Sequence, residues 1–212
     1  MQAQIGRARK PRQQRGIETR ERIIDAALHL FCAKGYHGTN SKEIAAAAGV
    51  SIGSFYCYFE DKKMLFLEIL DKNFLLGREH LQEHVRAMQD NFSMDGTRTL
   101  LRGFIKNLFS AHQFSTEFNQ EAAALILCDP DIRQVHDEHE AALIGEIASY
   151  IALFGDTVRV KDTEAAAFLV YRSVETVMHA ARHPNQGISE DRLVDELTDM
   201  LAAYLFCGNS TF

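Results

Sequence analysis

Between Ser51 and Lys62 the chain reads SIGSFYCYFEDK, a short stretch crowded with hydroxyl, phenol, thiol and ammonium groups. Groups of this kind donate hydrogen bonds and carry charge. They suit recognition of phosphate oxygens and base edges more than bond making. Ser51 can cap a short helix from about Ile52 to Tyr58. Ile52, Gly53 and Ser54 would then stand at its N-terminus, where Gly53 lets a partner approach the backbone closely. The phenols of Tyr56 and Tyr58 can donate to phosphates, while Phe55 and Phe59 read as inward-facing. Asp61 can cap the next helix. Lys62, in its first turn, could hold a phosphate together with the N–H groups there.

Other constellations carry weaker chemistry. His80 to His84 reads HLQEH and formally matches an H-x-x-E-H metalloprotease pattern. A hydrolytic zinc site needs a third ligand and a shaped cleft, and nothing nominates either. His136 and His139 raise a similar thought, with solvated histidines on acidic helices as the plain alternative. Neither a metal nor a cofactor is expected. The cysteines, Cys32, Cys57, Cys128 and Cys207, lie far apart with no C-x-x-C pair, which reads as reduced thiols. No Ser-His-Asp grouping, nucleophile elbow or phosphate-binding glycine loop is recognisable, so no enzyme is expected. Phe104, Phe109, Phe114 and Phe118 could line an apolar cavity, or simply form core. Arg172, Glu175, His179 and Arg182 share one helical face. From spacing alone that face reads as solvated, with i, i+3 and i, i+4 pairs.

These residues need elements to position them. Asn40 with Glu43 three residues on is close to a capping box. The Ala-rich segment from Ile44 to Ala48 is a short helix that a second helix can cross closely. Gly49 permits a sharp turn, and Val50 plugs the gap. Helix, short turn, helix is the geometry that sets a second helix into a major groove; a helical hairpin within a bundle, its tyrosines at the edge of a core, is the plain alternative. Upstream, Ile23, Ile24, Ala27, Leu28 and Phe31 form one helical face, with Gly35 as C-cap. Thr163–Arg182 reads as a helix. From Ser189, Leu193, Val194, Leu197, Met200, Leu201, Tyr204 and Leu205 make another apolar stripe. No alternating strand pattern occurs, so the fold class expected is all-α.

Composition is that of a soluble globular protein, 46% apolar and 25% charged over 212 residues. No run is apolar enough to cross a membrane, and no signal-peptide core follows the basic start, so the cytoplasm is expected. The net charge is −6, unevenly spread: residues 1–63 carry 11 Lys+Arg against 6 Asp+Glu, and residues 64–212 carry 12 against 23. A basic head on an acidic body could orient the protein on DNA.

The stretch Thr19–Leu70 resembles the TetR-type transcriptional regulators. It supplies Gly35-Tyr36, Thr39, Ile44-Ala45, Ala48-Gly49-Val50-Ser51, Gly53, Tyr56, Tyr58-Phe59, Lys62 and Leu65 in that family's order and spacing. The resemblance implies an all-helical homodimer with a three-helix DNA-binding domain. A ligand-binding body would follow, dimerising chiefly through its last two helices. It maps DNA contacts to Thr39, Lys42, Ser51, Gly53, Ser54, Tyr56, Tyr58 and Lys62.

The organisation expected is a disordered basic tail over 1–18, a helix-turn-helix domain over 19–65, and a ligand-binding and dimerisation domain over 66–212. The tail, Arg7–Arg15, could enter a minor groove or stay solvated. The ligand candidates are Phe104, Phe109, Phe114, Arg172, Glu175 and His179; the resemblance implies that the helix bearing the last three lies between pocket and dimer interface, where Arg172 or His179 could meet a ligand carboxylate. The partners expected are a double-stranded DNA operator, a small apolar or aromatic effector and a second copy of the chain. The function expected is a ligand-responsive regulator, a repressor released from a palindromic operator. A redox sensor acting through Cys57 and a metal-dependent hydrolase are the alternatives.

Overall fold

A computed structural model describes residues 12–90, 94–111, 116–181 and 187–206, with the side chains of 12–13, 88–90, 94–95, 107–111 and 116 set aside. Helices α1 (Arg12–Lys34), α2 (Ser41–Ala47), α3 (Ile52–Tyr56), α4 (Lys62–Asp90), α5 (Met94–Ala111), α6 (Thr116–Cys128), α7 (Pro130–Leu153), α8 (Thr163–Ala181) and α9 (Glu190–Leu205) follow in order. A single 3-10 turn, Gly155–Thr157, lies between α7 and α8. Among the described residues there is no strand, only an isolated bridge between Val158 and Phe206. The all-α expectation holds.

The chain forms two compact units. One takes in the described residues up to Leu70 together with Glu117–Ala124; the other holds Asp71–Thr116 and the residues from Leu125 onward. The division falls inside α4 and α6, five residues later than the expected 65/66 boundary for α4. The tail expectation needs a larger correction. Residues 1–11 lie outside the described residues, but from Arg12 the chain is already helical. Ile23, Ala27 and Phe31 are fully buried and anchor α1 in the first unit. Extending an anchored helix backward adds one hydrogen bond per residue fixed, and Arg and Gln favour it.

In the second unit α5 and α8 pack against α9, and α7 packs on α8. Leu101, Ile105, Val174, Met178, Val194, Leu197 and Leu201 form one apolar cluster; Ala148, Ile151, Ala166, Ala167, Leu205 and Phe206 form another. The C-terminal stripe read from sequence is split. Val194, Leu197, Leu201 and Leu205 point inward, whereas Met200 and Tyr204 are exposed. Ser189 has N-cap backbone angles, but its side chain makes no capping bond.

Register between α5 and α9 is set by a ladder. Arg98 meets Asp199 at 2.5 Å, Arg102 meets Asp195 at 2.5 Å, and Lys106 meets Asp191 at 2.9 Å. Steps of four on both helices, in opposite directions, admit one antiparallel alignment. Hydrogen bonds from Lys106 and Arg98 hold Asp191 and Asp199 below the ordinary carboxylate value of 3.8. A carboxylate depressed in the folded state stabilises above its unfolded pKa and loses that contribution as pH falls through its folded value. Thermal stability should therefore fall more steeply below about pH 4 in the wild type than in Asp191→Asn/Asp199→Asn. Melting curves at stepped pH check this; parallel profiles would contradict it. Exposed pairs contribute little each, so the ladder specifies alignment more than strength.

Candidate nucleic-acid interface

The helix-turn-helix is built by local signals. Asn40 caps α2 with its side chain accepting from Lys42 and Glu43 N–H at 3.1 Å each, and Glu43 accepts the Asn40 N–H in return at 3.3 Å. The capping box is complete. A hydrogen bond from Lys34, then one from the Asn40 backbone, holds Glu43 below its usual carboxylate range. Gly49, at φ +66°, ends α2. Its N–H donates to Ala46 O at 3.1 Å and the Val50 N–H to Ala45 O at 3.0 Å, the paired bonds of a left-handed C-terminal turn. Ser51 then caps α3, accepting from Ser54 N–H at 3.0 Å.

α3 is sharply two-faced. Phe55 is fully buried and Phe59 nearly so, as expected, while Ser51, Ile52, Gly53 and Tyr56 are exposed and Ser54 is half-buried. Gly53 is informative for what surrounds it. A Cβ there would meet only Ser51 Oγ, at 3.9 Å, an ordinary contact. Glycine costs a helix about 1 kcal/mol relative to alanine, and the packing around Gly53 does not require it. Lys42 is exposed, with no side-chain partner among the described residues.

Three sequence expectations change. α3 ends at Tyr56 with Cys57 as C-cap, so Tyr58 lies in the turn beyond the helix and is half-buried. Thr39, mapped as a DNA contact, is 2% exposed. Its hydroxyl donates to Gly35 O at 2.9 Å, a bond within the chain. Lys62 is likewise engaged within the chain: Nζ donates to Tyr36 O at 2.7 Å and Thr39 O at 2.8 Å, and stands 4.2 Å from the Tyr36 ring centroid. Burial pushes its ammonium below the usual lysine value. It clamps the turn between α1 and α2. Lys62→Met should lower stability by about 1.5–3 kcal/mol, the range for hydrogen bonds to a charged group. The salt dependence of DNA binding should keep its slope, whereas a lost phosphate contact would reduce it by about one. Denaturant unfolding and salt titration together check this.

The rival sites can be placed too. Cys57 is exposed, and its thiol donates to Gly53 O at 3.2 Å. Among the described residues no basic side chain bonds to it. In the H-x-x-E-H segment, His84 Nδ1 lies 2.8 Å from His80 O. His136, Asp137 and Glu140 approach one another closely, and Glu140 is also held by the Arg172 guanidinium.

Phe104 packs at the edge of the α5–α8–α9 cluster, 5.3 Å from the His84 ring. Phe118 is fully buried in the other unit, against Phe66. The Phe109 side chain and Phe114 lie outside the described residues, as does Arg182. Arg172 bonds to Glu175 at 2.8 Å and to buried Glu140, so it faces the protein's own carboxylates. Burial, then the charges of Glu175 and Glu140, push the neighbouring Tyr171 phenol above its ordinary value. His179 is exposed. Glu140 escaped the sequence reading because an acid on an acidic helix carries no mark of burial.

Comparison with known proteins follows the same division. Residues 23–69 match the family described as bacterial regulatory proteins, tetR family. Residues 98–205 match the tetracyclin repressor-like C-terminal domain, which alone covers about half of the chain. The HTH-type transcriptional regulator AcrR of Shigella flexneri is 50% identical over 62 residues, 29% of this chain and 28% of that protein's length. The HTH-type transcriptional repressor AcnR of Corynebacterium efficiens is 24% identical over 180 residues, 82% of this chain and 88% of that one. A transcriptional regulator from Saccharomonospora viridis, solved in complex with choline, superposes with TM-score 0.70 at 19% identity, covering 91% of this chain and all of that one. At that identity the likeness concerns the fold.

Proposed function

The chain belongs to the TetR family of bacterial regulatory proteins, and from that premise we propose that it is a dimeric repressor that a small apolar or aromatic effector releases from a palindromic operator. TetR-family proteins are DNA-binding transcriptional regulators. The proposal concerns the docking, the dimer and the switch. Ser51 at the cap of α3 and Gly53, Ser54 and Tyr56 within it meet the major groove with Lys42 beside them, and Tyr58 reaches a phosphate from the following turn. Lys62 and Thr39 support that surface from behind. The observation that carries this reading is the exposed edge of α3 with a glycine that the fold itself does not require.

Two copies would present two α3 helices to grooves about one turn (~34–36 Å) apart. Phe168 and Leu169 on α8 are 47% and 51% exposed, and Met200 and Tyr204 on α9 are 51% and 37% exposed. These apolar groups lie on two adjacent helices and favour covering by a second copy. The effector would bind within the second unit. It switches the protein only if it prefers a conformation whose α3 helices miss the grooves, by ~5.5 kcal/mol for near-complete conversion.

Selection from random duplexes, followed by release with apolar and aromatic compounds, tests this reading. Enrichment of two inverted half-sites one turn apart supports it. Failure to enrich any duplex at low ionic strength rejects it.

A further inference from the structure

We propose that Glu121, on α6, is a positioning residue for DNA binding: its carboxylate holds the turn that leads into α2. The inference rests on the DNA-binding reading above. The first half of α6, Glu117–Ala124, belongs to the same compact unit as α1, α2 and α3, although many residues separate them in sequence. Phe118, one turn before Glu121, is fully buried and packs on Phe66 with ring centroids 5.3 Å apart. That contact seats this half of α6 within the first unit. Glu121 Oε2 then accepts the Tyr36 backbone N–H at 2.9 Å.

The fit around this bond is close. Gly35 has φ +72°, and a Cβ built on it would stand 2.9 Å from Glu121 Oε1. The carboxylate thus occupies the space that any other residue at position 35 would fill. The five-residue turn from Gly35 to Thr39 is tied on both sides. Glu121 holds the Tyr36 amide; Lys62 holds the Tyr36 and Thr39 carbonyls; the Thr39 hydroxyl reaches Gly35 O. The next residue, Asn40, caps α2, and α2 leads through the Gly49 turn to α3. Releasing one tie frees the entry angle of α2 and the aim of α3.

Electrostatics makes the test sharp. Removing a carboxylate from a DNA-binding unit should by itself strengthen attraction to phosphate. A positioning role predicts the opposite when the acceptor oxygen goes as well. Glu121→Gln removes charge and keeps an acceptor; Glu121→Ala removes both. The probe is the duplex that the wild-type chain recovers from a random pool, with binding measured on the folded dimer across a salt series. Glu121→Ala should bind about tenfold more weakly with an unchanged salt slope, and its Tyr36 amide should exchange faster with solvent. Glu121→Gln should bind at least as well as wild type, within about twofold.

Wild-type affinity in Glu121→Ala overturns the inference. So does equal weakening in both variants, or loss of the folded dimer in Glu121→Ala, which would make Glu121 a stability residue only. A wild-type chain that recovers no duplex fails earlier, and takes the DNA-binding reading down with it.

Discussion

Phe66→Ala should destabilise the first unit by about 3–5 kcal/mol, the range for truncating a buried phenylalanine. Phe66 is fully buried and stands where three elements meet. Its ring lies 5.7 Å from Phe31 of α1, 5.4 Å from Tyr36 in the turn and 5.3 Å from Phe118 of α6. Truncation removes dispersion contacts with all three rings and leaves a cavity that stiff aromatic neighbours fill poorly. Domains are stable by only about 5–15 kcal/mol in total, so this loss is large. Denaturant unfolding should show an earlier transition for the first unit, with DNA binding lost alongside it. A shift below about 1 kcal/mol would mean that the aromatic cluster does not hold α1, α4 and α6 together.

The second large effect concerns the apolar face of α8 and α9. Leu169→Asp with Met200→Asp places two carboxylates per chain on the surface proposed to meet a second copy. Burying unpaired carboxylates is costly, and both residues are about half exposed in the single chain, so the change should act on assembly rather than folding. The double variant should sediment as a folded monomer. Its operator affinity should fall by about 100-fold or more, since linking two binding modules raises avidity by roughly 10²–10⁴. Velocity sedimentation with circular dichroism checks both parts. A variant that remains dimeric would place the dimer interface elsewhere.

What the sequence disclosed was local. The Asn40–Glu43 capping box, the Gly49 turn, the Ser51 cap and the inward Phe55 and Phe59 are each defined by residues a few positions apart, and each appears as read. What it withheld depends on distant partners. Nothing near Lys62 shows that its ammonium meets the carbonyls of Tyr36 and Thr39. The same holds for Thr39, polar in sequence yet buried in the fold, and for Glu121, whose bond to Tyr36 spans 85 positions. The basic residues before Thr19 carry no apolar period, so the early start of α1 left no trace. Phe104 and Phe118 fall in one phenylalanine-rich stretch, yet they belong to different units. Periodicity reports a buried face but not which core buries it.

The central claim is that a pair of chains places α3 of each in a DNA groove. Sedimentation equilibrium of the wild-type chain with its selected duplex, at low ionic strength, tests it most directly. The predicted result is two chains per duplex, dissociating as salt is raised. A chain that stays single and sediments apart from every duplex offered would contradict it.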